Sequence, residues 1–107
     1  MLNLNDLSKM AYDNASKREA KDGKVSTDTM QMLKHTATEV VEATEAFHNY
    51  FLFDNEFTDH KGVFASELAD IICCVLIIAG KEKIDMEKAL TECMEKNYFR
   101  AIGKGDK

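Results

Sequence analysis

The sequence predicts an all-α fold of four to five helices, and three observations carry that reading. The chain of 107 residues has no proline and only five glycines, so long helices can run without a break. Its apolar residues recur at three- and four-residue steps rather than in alternation. Residues that cap helices (Asn3, Ser26 or Thr27, Asp85) stand just ahead of those periodic stretches. A chain this short is expected to form one domain over residues 1–107 with a modest core.

The first helix is expected from about Asn3 to about Ala20, with Leu4, Leu7, Ala11 and Ala15 on one face. Asn3 or Asn5 would cap it, and the stretch Lys21–Lys24, which contains Gly23, would end it. The second begins near Ser26 or Thr27, with Asp28 favourable in its first turn, and runs to about Tyr50. Met30, Leu33, Ala37, Val40 or Val41, and Thr44 supply its apolar stripe, which leaves Glu39 and Glu42 off that stripe. A loop from about Leu52 to Val63 follows, rich in turn formers and carrying Phe53 and Phe57.

The third helix is expected from about Phe64 to Ala79, ending at Gly80. Its second half, Ile71 to Ala79, is apolar on every side, and its β-branched residues make a buried strand the rival reading. Helix is preferred because the run continues in phase from Leu68 and no partner strand exists elsewhere. A helix apolar all round must be covered all round, which three short neighbours cannot do. The inference is a homo-oligomer, a dimer or tetramer, with this helix near the interface. The fourth helix runs from Asp85 as N-cap to about Arg100, with Ala89, Leu90, Cys93 and Met94 as its stripe. Residues 103–107 read as a disordered tail.

Composition narrows the function classes. The net charge is −5 with no Lys/Arg block, which argues against a nucleic acid polymer as partner. The longest apolar run, Ile71 to Ala79, is nine residues, short of the roughly twenty a membrane span needs, so no membrane is expected. Cys73, Cys74 and Cys93 lack both disulfide and zinc-ligand spacing and read as reduced core thiols in a cytoplasmic protein. No secretory leader is expected from Met1–Met10.

Two short patterns can carry chemistry: Glu39-Val40-Val41-Glu42 on the second helix and Glu67-Leu68-Ala69-Asp70 on the third. Positions three apart project from nearly one helical face. Two such helices packed together would converge four carboxylates, which need a compensating charge. Oxygen-only ligands suit a hard cation, magnesium or manganese. Either pattern alone is usually a solvated face. Glu67 and Asp70 are the more telling pair, because they lead directly into a wholly apolar segment. His35 precedes Glu39 by one helical turn and either touches substrate or hydrogen-bonds a carboxylate. Glu45-Ala46-Phe47-His48 is a single E-x-x-H, where a di-iron centre would use two.

The pairing of Glu39-x-x-Glu42 with Glu67-Leu68-Ala69-Asp70-Ile71-Ile72 resembles the signature of the MazG-like all-α nucleoside triphosphate pyrophosphohydrolases. The segment Lys83-Ile84-Asp85-Met86-Glu87-Lys88-Ala89-Leu90 is similar to that family's entry into its last helix, and Lys96-Asn97-Tyr98-Phe99-Arg100 falls where the family has a lysine, an asparagine and an arginine. The likeness spans about residues 27–101. It departs at Thr38, where the family has an acidic residue, at Val41-Glu42-Ala43, where it has Gly-Glu-Leu, and in having no tryptophan to stack on a base.

The resemblance implies a MazG-like helical bundle assembled as a homo-oligomer. It also implies hydrolysis of a nucleoside triphosphate to monophosphate and pyrophosphate. Magnesium, or manganese, would sit on Glu39, Glu42, Glu67 and Asp70. Glu39 or Glu42 would accept the proton of the attacking water, and Lys96, Asn97, Arg100 and His35 would meet the nucleotide. Two other readings compete: a non-catalytic oligomerisation or partner-binding module that keeps the fold, and a carboxylate-bridged redox-metal protein.

Overall fold

The computed structural model describes residues 2–53 and 59–103. It contains four helices and, among the described residues, no strand: α1 (Leu4–Asp22), α2 (Thr29–Phe53), α3 (His60–Glu82) and α4 (Met86–Ala101). The strand reading of residues 71–79 is thereby set aside.

Asn3 opens α1 with a capping box. Its side chain accepts from the Asp6 amide, and the Asp6 carboxylate accepts from the Asn3 amide. Gly23 closes the helix at φ 69°, a left-handed position that glycine takes without steric cost. The cap of α2 differs from expectation. The helix begins at Thr29, and Asp28 accepts from the Gln31 amide at 3.0 Å. Thr27 is drawn away because its amide and hydroxyl both donate to the Glu19 carboxylate, at 2.9 and 2.7 Å, tying the loop back onto α1. Those two bonds hold the Glu19 carboxyl below the usual carboxylate range.

Helix α3 is longer than the sequence suggested at both ends. Asp59 caps it, accepting from the Gly62 amide at 2.8 Å, so the expected loop is shorter; residues 54–58, with Phe57, lie outside the described set. Gly80 does not end the helix. It sits inside α3, where a Cβ would strike the Ser8 carbonyl and the Tyr12 side chain of α1, so its role is close approach of two helices. The left-handed C-cap is Lys83, at φ 56°. Helix α4 starts as expected on Asp85, whose carboxylate accepts from the Lys88 amide at 3.0 Å. It ends at Ala101 with Ile102 as its C-cap; of the expected tail, residues 104–107 lie outside the described set.

Helices α2 and α3 lie antiparallel along their whole length. Thr29 bonds to Glu82, Glu39 faces Glu67 and Asp70, and Phe47 meets Phe64. Helix α1 packs on the C-terminal half of α3, and Ala15, Met32, Cys74 and Ile77 close a small core with Ala11, Val25 and Ile78 against it. Helix α4 packs chiefly on α1, with no comparable contact to α2 or α3 among the described residues. Asn5 is the clamp there. Its amide nitrogen donates to Asp85 at 2.9 Å, and its oxygen accepts from the Glu87 amide at 3.2 Å.

The face that α2 buries is a correction to the sequence reading. Met32, Glu39, Ala43 and Ala46 turn inward, whereas Met30, Leu33, Val40 and Val41 of the expected stripe are exposed. Small residues at 43 and 46 let α2 and α3 approach closely, and the bulky stripe is left outward. The stripes of α3 and α4 are uncovered in the same way: Ile72, Val75, Leu90 and Met94 are exposed, α4 buries nothing, and of the three expected core thiols only Cys74 is buried, Cys73 and Cys93 standing on those uncovered faces. The chain exposes 8107 Å², against about 6,000 Å² for a self-sufficient monomer of its mass. Its radius of gyration is 16.7 Å where about 13 Å is usual.

Candidate metal centre

The antiparallel register of α2 and α3 brings Glu39 opposite Glu67 and Asp70. One carboxylate oxygen from each lies within 4.8 Å of the others, close to the span of oxygens around a single divalent cation. Glu39 is buried, Glu67 partly buried and Asp70 exposed, so the cluster opens to solvent on the Asp70 side. His35 Nε2 lies 3.0 Å from Glu39 Oε1, to which it donates, so it partners a carboxylate while also standing in the wall of the adjoining cavity.

The other oxygens identify what the cluster lacks. Glu39 Oε2 and Glu67 Oε2 are buried and have no hydrogen-bond partner. An orphaned buried carboxylate oxygen is costly unless a cation or proton meets it. Burial pushes the Glu39 carboxyl above its ordinary range; the Glu42, Asp70 and Glu67 charges add to this and His35 opposes it. Burial also raises Glu67, helped by Glu42 and Asp70. Glu42 is thus close enough to act on both, although it stands outside the three-residue set. Cys74, buried beside the cluster, has its thiol raised chiefly by burial. It stays protonated at neutral pH, which leaves an all-oxygen donor set suited to a hard cation.

A cavity of about 480 Å³ adjoins the cluster, between the C-terminal part of α1, the loop before α2, and the α2–α3 pair. Glu39, Asp70 and His35 stand in its wall. So do Arg18, Lys24 and Gln31, which the sequence reading passed over. They belong to no motif, and only the folding of α1 across α3 brings them in. Lys96, Asn97 and Arg100 do not line the cavity: they lie on exposed α4, which the Asn5 clamp holds against the N-terminus of α1. The expected convergence of these three with the carboxylates does not occur within one chain.

The fold and site together define a coarse class: an all-helical chain with a partly buried three-carboxylate cluster able to hold a metal ion. Compared with known protein families, curated proteins and solved structures, the chain has no match among any of them.

Proposed function

We propose that this chain is a magnesium-dependent nucleoside triphosphate pyrophosphohydrolase of the MazG-like type, acting as a homo-oligomer in a reducing, cytoplasmic setting. The observation that carries the reading is the pair of orphaned buried oxygens on Glu39 and Glu67, set within reach of Asp70. A structural polar cluster would satisfy those oxygens with protein donors; a cation site leaves them bare.

Glu39, Glu67 and Asp70 would hold the ion, magnesium or manganese, with Glu42 beside them. The bound metal would supply charge neutralisation of phosphate oxygens and polarisation of the reacting phosphorus. In the reaction a water oxygen bonds to the α-phosphorus, the bond to the bridging oxygen breaks, and pyrophosphate leaves with that electron pair. The proton released needs a carboxylate. Glu39 is held by His35 and by the cluster, so the exposed Glu42 is the better placed acceptor of the two. His35 fixes the Glu39 rotamer.

Assembly belongs to the same proposal. An excess of about 2,000 Å² of exposed surface, with Val40, Val41, Ile72 and Met94 among the apolar side chains left outward, is of the size a permanent subunit interface buries. Lys96, Asn97 and Arg100 would then serve a neighbouring protomer's site. Helix α3 is long and apolar enough to cross a membrane by length and composition alone. Its two carboxylates Glu67 and Asp70 and its packing on α1 and α2 favour a subunit core instead.

Pyrophosphate release from a panel of canonical and modified nucleoside triphosphates, with magnesium, tests the activity. Wild type should release pyrophosphate from at least one, and Glu67→Gln should lower turnover by a hundredfold or more, on the order of a lost metal ligand. Release that is absent throughout, or unchanged in Glu67→Gln, would refute the proposal.

A further inference from the structure

The cavity beside the carboxylates is not acidic throughout. Arg18, near the end of α1, and Lys24, in the loop before α2, share its wall with Glu39 and Asp70. Among the described residues neither cation forms an ion pair, although the chain carries 19 acidic residues against 14 basic ones. Glu19, the acidic side chain nearest Arg18 in sequence, is committed to Thr27. Two cations without an ion-pair partner, sharing a cavity with the metal ligands, are placed to attract an anion that also meets the metal.

Among the described residues, none that lines the cavity is aromatic. The rings gather elsewhere: Phe47 and Tyr50 on α2 meet Phe64 on α3, with Phe47 and Phe64 centroids 5.3 Å apart, and Phe51 joins through Phe47. Phe47 follows Glu39 by eight residues, about 12 Å along the helix. Cations from α1 and the loop before α2, then the carboxylates and then the rings of the α2–α3 pair, thus follow one another in that order. A nucleoside triphosphate has the same polarity, with distal phosphates, then the scissile bond, then the base.

We infer that Arg18 and Lys24 bind the two distal phosphates, the pair that leaves as pyrophosphate, inside the 480 Å³ cavity. The inference rests on the pyrophosphohydrolase reading and extends it to residues outside both motifs. It makes anion and metal binding interdependent. Without a cation at Glu39, Glu67 and Asp70, the carboxylates repel the phosphates that Arg18 and Lys24 attract.

The test separates the two claims by using two readouts on the full chain. Manganese binding, followed by electron paramagnetic resonance, reports on the carboxylates alone. Inorganic pyrophosphate binding, followed by calorimetry with manganese present, reports on the cavity. Both cations are exposed, so Arg18→Gln, Lys24→Gln and the double variant should fold; circular dichroism checks this. The expected result is unchanged manganese affinity in all three, with pyrophosphate affinity about tenfold weaker in each single variant and weaker still in the double. Glu67→Gln should lose manganese first. Wild-type manganese binding with pyrophosphate affinity equal in wild type and the double variant would overturn the inference while leaving the metal site intact. Failure of wild type to bind manganese would overturn the reading beneath it as well.

Discussion

Asp70→Asn separates a metal ligand from a structural carboxylate, because the two roles predict opposite changes in the metal-free protein. Asp70 is exposed, makes no hydrogen bond that stabilises the fold, and is one of the charges that raise Glu39 and Glu67. Removing its charge relieves repulsion, so the metal-free variant should melt no lower than wild type. The metal-dependent part runs the other way. At magnesium a hundredfold above its Kd, wild type gains about 2.7 kcal/mol by linkage, roughly 10 °C for a domain of this size. A ligand lost at a cost of about a hundredfold in affinity leaves the same magnesium concentration near the Kd, where the gain is only ~0.4 kcal/mol. Melting curves with and without magnesium, for wild type, Asp70→Asn and Glu45→Gln, measure both effects. Glu45 is outside the cluster and should keep the full shift. Refutation would be a full magnesium shift in Asp70→Asn, or a metal-free variant that melts well below wild type.

Other perturbations follow from the packing. Lys83→Gly should stabilise the chain by about 0.5–1 kcal/mol, read as a rise in thermal midpoint, because lysine holds a left-handed cap at φ 56°. Gly80→Ala should destabilise by about 1–3 kcal/mol in urea titration, because its methyl meets the Ser8 carbonyl and Tyr12; a neutral result would mean α1 can shift freely. Glu19 has a folded pKa below its unfolded one, so its contribution is present above about pH 4.3 and is lost as acid protonates it in the fold. The urea midpoints of wild type and Glu19→Gln should therefore differ at pH 7 and converge as the pH falls below that value, and a gap independent of pH would discount the carboxylate. Ile72 is 58% exposed in a single chain, so Ile72→Asp should leave protomer helicity intact while shifting the light-scattering mass from dimer or tetramer to monomer. A wild-type monomer at micromolar concentration would overturn the assembly.

The sequence by itself determined the local structure. Four helices lie close to where spacing and capping residues put them, because a helix is set within one or two turns by Asn3, Gly23 or Asp85 acting on their own neighbours, although α3 starts earlier than read, on Asp59. It also determined that Glu39, Glu67 and Asp70 were worth watching, because carboxylates three apart on a helix share a face whatever that helix packs on. Tertiary structure alone decided which face of α2 turns inward. Periodicity marks an apolar stripe without naming its partner, and Ala43 and Ala46 won the contact with α3 over the bulkier Val40 and Val41. It alone decided that Gly80 is a contact rather than a stop, since the atoms it must avoid, on Ser8 and Tyr12, are some seventy residues away in sequence. Separation in sequence, though smaller, also hid Arg18 and Lys24. A side chain becomes part of a cavity only when another helix closes over it, and no local pattern records where that helix will come from.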